Sequence, residues 1–238
     1  MQQERIYNMP RERDKWLSAA FPALMRKVYV WMALALVITA VTAYGVASSP
    51  NIVMALYSNR AVMWGLIIAE LAIVIGVSAA INRLSLTTAT MLFILYSIIN
   101  GAMLSSVFLV FSATVITKTF LVTAGTFGAM AVIGYTTKTD LTSMGKILLM
   151  GLIGLIIASV VNMFVGSTGF DLIISYVGVL IFVGLTAYDS QKIKEMLVTC
   201  DEMNDSTQKL ALMGALTLYL DFINLFLYLL RFLGARKN

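Results

Sequence analysis

Three carboxylates stand where the chain is otherwise apolar: Glu70, Asp189 and Asp221. Two arginines, Arg83 and Arg231, lie near the ends of the same apolar stretches. A charge at mid-bilayer costs at least about 2.5–3.5 kcal/mol on insertion scales, so acids placed there point to function. Two carboxylates sharing a dry site cannot both ionise freely, and such a pair can hold a proton between its members. Hard oxygen ligands also suit calcium, which makes Asp189, Asp221 and Glu70 the candidate metal ligands. Other common chemistry is missing. The chain has no histidine, hence neither the commonest general base nor the commonest metal ligand. Its one cysteine, Cys200, excludes an intrachain disulfide and reads as a free, inert thiol.

Asp221 lies on a stripe. Steps of three and four from it meet Gly214, Thr217, Asn224, Tyr228 and Arg231, all on one helical face. The other faces carry Leu218, Leu220, Phe222, Ile223 and Leu225. A helix with one polar stripe lines a cavity or meets polar groups on its neighbours. Thr217 and Asn224 alone would fit helix packing, and Asp221 favours the cavity. Asp189 pairs with Asp221 by position. The last two apolar stretches form an antiparallel hairpin centred near Asp205, sixteen residues from each acid. A symmetric hairpin puts both acids at one depth, in the inner half of the membrane. The plainer account of Asp189 is an interfacial acid neutralised by Lys192 or Arg83. Glu70 has small neighbours, Ala69, Ala72 and Gly76, which permit close helix approach. Tyr96, Ser97, Asn100, Ser105, Ser159 and Asn162 read mostly as helix–helix hydrogen bonds.

The elements that must position these residues are membrane spans. Of 238 residues, 60% are hydrophobic and 12% charged. A soluble domain carries about a quarter charged residues and needs them to cover its surface. Seven apolar stretches of near bilayer length lie at Lys27–Ser48, Ala61–Asn82, Leu86–Phe111, Phe120–Thr137, Lys146–Val165, Leu172–Lys192 and Leu210–Phe232. The expected fold is all-α and polytopic. Residues 1–22 form a mixed-charge cytoplasmic tail and residues 23–238 a seven-helix transmembrane domain. The longest connection is expected at Glu195–Lys209. With Pro at positions 10, 22 and 50 only, no span has a proline break of the kind inverted-repeat transporters use.

Lys and Arg set the orientation. With the N-terminus inside, the inner loops hold Lys138, Lys146, Lys192, Lys194 and Lys209, and the outer loops only Arg60 and Lys118. The C-terminal end, with Arg231, Arg236 and Lys237, then lies outside and runs against the rule. Gly45-Val46-Ala47 looks like a signal cleavage site, but the apolar run before it is too long for one. The net charge of +5 fits a basic membrane protein, and no soluble basic patch suits nucleic acid.

Two strings carry a resemblance. Gly184-Leu185-Thr186-Ala187-Tyr188-Asp189-Ser190-Gln191-Lys192-Ile193-Lys194 is the first. Leu216-Thr217-Leu218-Tyr219-Leu220-Asp221-Phe222-Ile223-Asn224-Leu225-Phe226, with Leu229-Leu230-Arg231-Phe232 beyond it, is the second. Together they resemble the signature of the transmembrane Bax inhibitor motif family, in its bacterial YccA-like branch. The resemblance implies seven helices with the last one central. It implies a pH-sensitive calcium leak in the inner membrane, with Asp189 and Asp221 as latch and proton sensor. Glu70 resembles the family's second-span glutamate. The family also has a basic residue near the end of that span, for which Arg83 is the candidate, at a slightly longer spacing from Glu70. Glu70, Arg83, Thr217, Asn224 and Tyr228 are candidates for the ion pathway or for partners of the latch. No tightly bound cofactor is implied; calcium ions and protons are what would move. Some bacterial relatives are described as modulators of a membrane-anchored AAA protease, which would be a binding function.

Three functions follow from these residues. A passive calcium-permeable channel needs the acids and no nucleotide motif. Proton-coupled calcium exchange would use the same acids. Regulation of a membrane protease would use the tail at residues 1–22. An intramembrane aspartyl protease fits poorly, because Leu218-Tyr219-Leu220 precedes Asp221 where a Gly-x-Gly would stand, and Pro22-Ala23-Leu24 lies at the wrong end.

Overall fold

A computed structural model describes residues 20–200 and 202–234. Most of the tail at residues 1–22 therefore lies outside the described residues. Among the described residues eight helices follow in order: α1 (Phe21–Ala47), α2 (Pro50–Tyr57), α3 (Arg60–Ala80), α4 (Leu86–Val110), α5 (Ala113–Thr136), α6 (Thr142–Val165), α7 (Thr168–Val198) and α8 (Asp205–Leu233). All but α2 are long and apolar enough to cross a membrane, which gives seven candidate spans among the described residues. The chain is a polytopic all-α membrane protein.

Several helices run further than their apolar runs suggested, because caps and buried side chains extend them. α5 begins at Ala113, where the Ser112 side chain accepts the Val115 N–H at 3.4 Å. α7 continues through Val198 because Ile193 and Leu197 are buried, a helical period among charged neighbours. The connection expected at Glu195–Lys209 shrinks to residues 199–204. The helix pair is also not symmetric about Asp205. Asp189 lies nine residues before the end of α7, and Asp221 sixteen after the start of α8.

The chain forms two compact units. One holds the chain up to Ser105 together with Ile193–Leu216, the other Ser106–Lys192 together with the chain from Thr217. In the first unit the Thr39 hydroxyl on α1 donates to the Ser97 carbonyl on α4 at 3.0 Å. Tyr57 on α2 donates to the Met103 carbonyl at 3.1 Å. Lys209, only 9% exposed, donates to the carbonyls of Leu84 at 3.1 Å and Asn82 at 3.5 Å. These carbonyls lie just past α3, where helix ends leave acceptors unsatisfied and cations are favoured. Lys209→Met is expected to strip these partners and lower stability by about 1–3 kcal/mol. Thermal unfolding of the purified protein in detergent reads this as a lower Tm.

In the second unit, Phe222 of α8 packs its ring against Phe120 and Phe127 of α5, with centroids 5.5 and 5.4 Å away. α5 and α7 touch backbone to backbone at Gly134, where a Cβ would overlap the Ala187 carbonyl. α8 is the most buried span, with 61% of its apolar window enclosed, against 6% for α3 and for α6. The difference follows from sequence. α3 and α6 are apolar nearly all round and suit lipid, whereas α8 has polar groups that hydrocarbon cannot satisfy.

Candidate functional site

The site lies in the second unit, where α7 and α8 pack antiparallel. Their register is fixed by two rungs: Asp189 faces Asp221, and seven residues away on each helix Phe182 stacks on Tyr228. Seven residues are about two turns, so the rungs lie roughly 10 Å apart. Between and around them is a cavity of ≈ 320 Å³. Its walls are Leu149, Leu152 and Ile156 of α6, Phe182, Leu185 and Asp189 of α7, and Thr217, Leu220, Asp221, Asn224 and Tyr228 of α8.

The carboxyl groups of Asp189 and Asp221 are close neighbours across the two helices. An ionised carboxylate only accepts, so a bond between the two requires a proton on one of them. Asp221 is 5% exposed, and its Oδ2 is buried without a hydrogen-bond partner among the described residues. Asp189 is half-buried, and Lys192 acts on it electrostatically from one turn away. Lys192 also sits over the Tyr188 ring, 5.6 Å from its centroid. Asn224 donates to the Leu220 carbonyl of its own helix at 2.8 Å and lines the cavity.

The other expected residues are in the first unit. Glu70 on α3 bonds the Asn100 side chain and is the electrostatic neighbour of Tyr96, both on α4. Its Oε1 is buried without a hydrogen-bond partner among the described residues. Arg83 is exposed in the turn that follows α3. It lies thirteen residues past Glu70, about 20 Å along a helix axis. Ser97 and Ser105 donate to carbonyls of their own helix, as does Ser159 in the second unit. Asn162, also in the second unit, accepts the Ser167 N–H at 3.1 Å and closes the end of α6.

No three His, Cys, Asp or Glu side chains among the described residues group where they could hold a metal ion. Two carboxylates supply four oxygens, and calcium takes six to eight. A calcium ion at the pair would therefore keep water or other oxygens as ligands.

Gln191 has no role of its own in the motif string, and the structure gives it one. It is 5% exposed, and its Oε1 accepts the Leu141 N–H at 2.8 Å while its Nε2 donates to the Thr139 carbonyl at 2.8 Å. It follows Ala187 by one turn, on the face that α5 packs against. That spacing was the available signal. Gln191→Leu removes the partner of the part-buried Leu141 N–H and of the carbonyl of exposed Thr139. About 1–2 kcal/mol of stability should be lost, seen as a lower Tm and as faster amide exchange at Leu141. In the same connection, hydrogen bonds from the Thr142 side chain and backbone hold the exposed Asp140 carboxyl below its usual value. This support for the start of α6 is present at neutral pH and disappears as pH falls through the lowered value.

Known proteins share this chain's pattern over nearly its whole length. The family described as "Inhibitor of apoptosis-promoting Bax1" matches residues 22–238. The "Inner membrane protein YbhL" of Escherichia coli strain K12 is 50% identical over 92% of this chain and 94% of its own length. An uncharacterized protein of Borreliella burgdorferi is 48% identical over 90% of this chain and 92% of its own length. One from Rickettsia prowazekii is 44% identical over 95% of each chain. With seven candidate spans and a family match from residue 22 onward, the chain belongs to the Bax inhibitor family of membrane proteins.

Proposed function

We propose that this protein is a pH-sensitive, calcium-permeable leak of the bacterial inner membrane, with its N-terminus in the cytoplasm. The cavity between α6, α7 and α8 belongs to the ion path, and Asp189 with Asp221 is its proton-operated latch. The observation that supports this is the buried Asp221 carboxylate, which has another carboxyl as neighbour and one oxygen without a partner among the described residues. A pair holding one proton has a charge-assisted bond and stays closed. A second proton removes the charge, and loss of the last one sets two anions against each other. Either change weakens the bond and shifts the helices toward another packing. Thr217, Asn224 and Tyr228 line the path, and Glu70, with Asn100 and Tyr96, is a separate acidic group of the first unit. Calcium crosses down its own gradient, since no nucleotide motif is present to drive it. The test is calcium flux in proteoliposomes across pH, with the two Asp residues intact and replaced by Asn. Calcium moving uphill when only a pH gradient is imposed would replace the leak with proton-coupled exchange. Binding to a membrane-anchored protease is compatible with either, and the mixed-charge residues 1–22 are the handle for it. Co-purification with and without them tests that role.

A further inference from the structure

The acid pair bounds the cavity at one level, and an aromatic rung bounds it about two helical turns away. Phe182 and Tyr228 are its wall residues on α7 and α8 nearest the Arg231 end of the bundle. Their rings stack at 5.8 Å between centroids and 24° between planes. Gly178 makes room for this: a Cβ there would come within 2.6 Å of the Tyr228 ring. Arg231, one turn beyond, places its guanidinium 5.8 Å from the same ring centroid. Asp171, in the first turn of α7, lies 3.9 Å from Arg231. The order along the path is thus acid pair, aromatic rung, arginine, acid.

We infer that the Phe182–Tyr228 rung is a second constriction of the passage, held shut by Arg231 and Asp171. This rests on the reading of the cavity as a passage. Stacked rings leave no polar wall for a hydrated cation, and a guanidinium over the rung repels one before it arrives. The two components differ in weight. The ion pair is exposed, with side chains 50% and 40% accessible, and pairs of that kind hold weakly. The rings carry most of the barrier, and the ion pair holds Arg231 over them.

The test measures entry without measuring calcium. Asn224, on the wall between the two rungs, is replaced by Cys in a Cys200→Ser background. The protein is reconstituted in vesicles, and a membrane-impermeant maleimide is added in turn to each face. Tyr228→Ala should speed labelling roughly tenfold or more, from one face only, by removing half the stack. Asp171→Asn, a surface change that leaves the rings in place, should speed it about two- to fivefold from that same face. Tyr228→Phe should label like the parent. Unchanged rates in both Tyr228→Ala and Asp171→Asn overturn the constriction, as does equal acceleration from both faces, which would mean general loosening. If labelling responds as stated while the protein with Asn224 intact passes no calcium at any pH, the constriction stands and the calcium reading fails.

Discussion

Asp221→Asn is expected to flatten the pH dependence of calcium flux. In the parent protein a packing change linked to one proton shifts its equilibrium by up to about tenfold per pH unit, because one unit of pH is worth about 1.4 kcal/mol for each proton exchanged. Flux should be lowest where the pair holds one proton and should rise on either side. Asn cannot ionise, but it can donate to Asp189 through its amide. The variant therefore keeps a neighbour bond that no proton is needed to make. Its flux should vary less than about twofold over the range where the parent varies about tenfold. Asp189→Asn should act likewise, and the double variant should add little, since the two act as one unit. Radioactive calcium uptake into proteoliposomes, stepped in pH with no pH gradient, checks this. A single variant that retains the parent's full pH slope would rule out the latch.

Gly134→Ala carries the largest expected effect on stability. The added methyl would overlap the Ala187 carbonyl, which is backbone and has no rotamer to change. α5 and α7 must then separate along the segment that carries Asp189, two residues from the contact. Overpacking usually costs about 1–3 kcal/mol, and a rigid partner places this site at the upper end. At roughly 2–4 °C per kcal/mol for a chain of this size, Tm should fall by roughly 6–12 °C. Gly145→Ala provides the internal comparison. Its methyl would overlap the Tyr188 ring, a side chain that can move aside. Its loss should be smaller, and a Gly145→Ala protein less stable than Gly134→Ala would refute the backbone-contact argument. The same variants measured for flux test whether the position of α7 governs the latch.

The sequence by itself determined the class of the protein, its number of spans and its three unusual acids. Hydrocarbon explains why. A bilayer accepts a helix by length and mean apolarity, both local properties, and it penalises each ionisable residue individually. The stripe from Thr217 to Tyr228 was legible for the same reason, since helical periodicity is local. Helix ends were less so. They follow from caps such as Ser112 and from buried contacts such as Ile193 and Leu197, which an apolar run does not record.

Only the tertiary structure decided what each polar residue meets. The spacing from Asp205 matched Asp189 to Asp221 through a hairpin taken to be symmetric. The helices are unequal about that point, and the packing of α7 on α8 sets the register instead. Sequence offered Arg83 as one neutraliser of Asp189 and named no neighbour for Glu70 beyond small residues of its own span. The structure leaves Arg83 exposed and gives Glu70 a different set of neighbours, Asn100 and Tyr96. Gln191, one polar residue among several in its motif string, is a buried tie to the connection between α5 and α6. A side chain's partner comes from another helix, tens of residues away. No local rule fixes which face of that helix turns inward, so contact identity emerges only when the helices have packed.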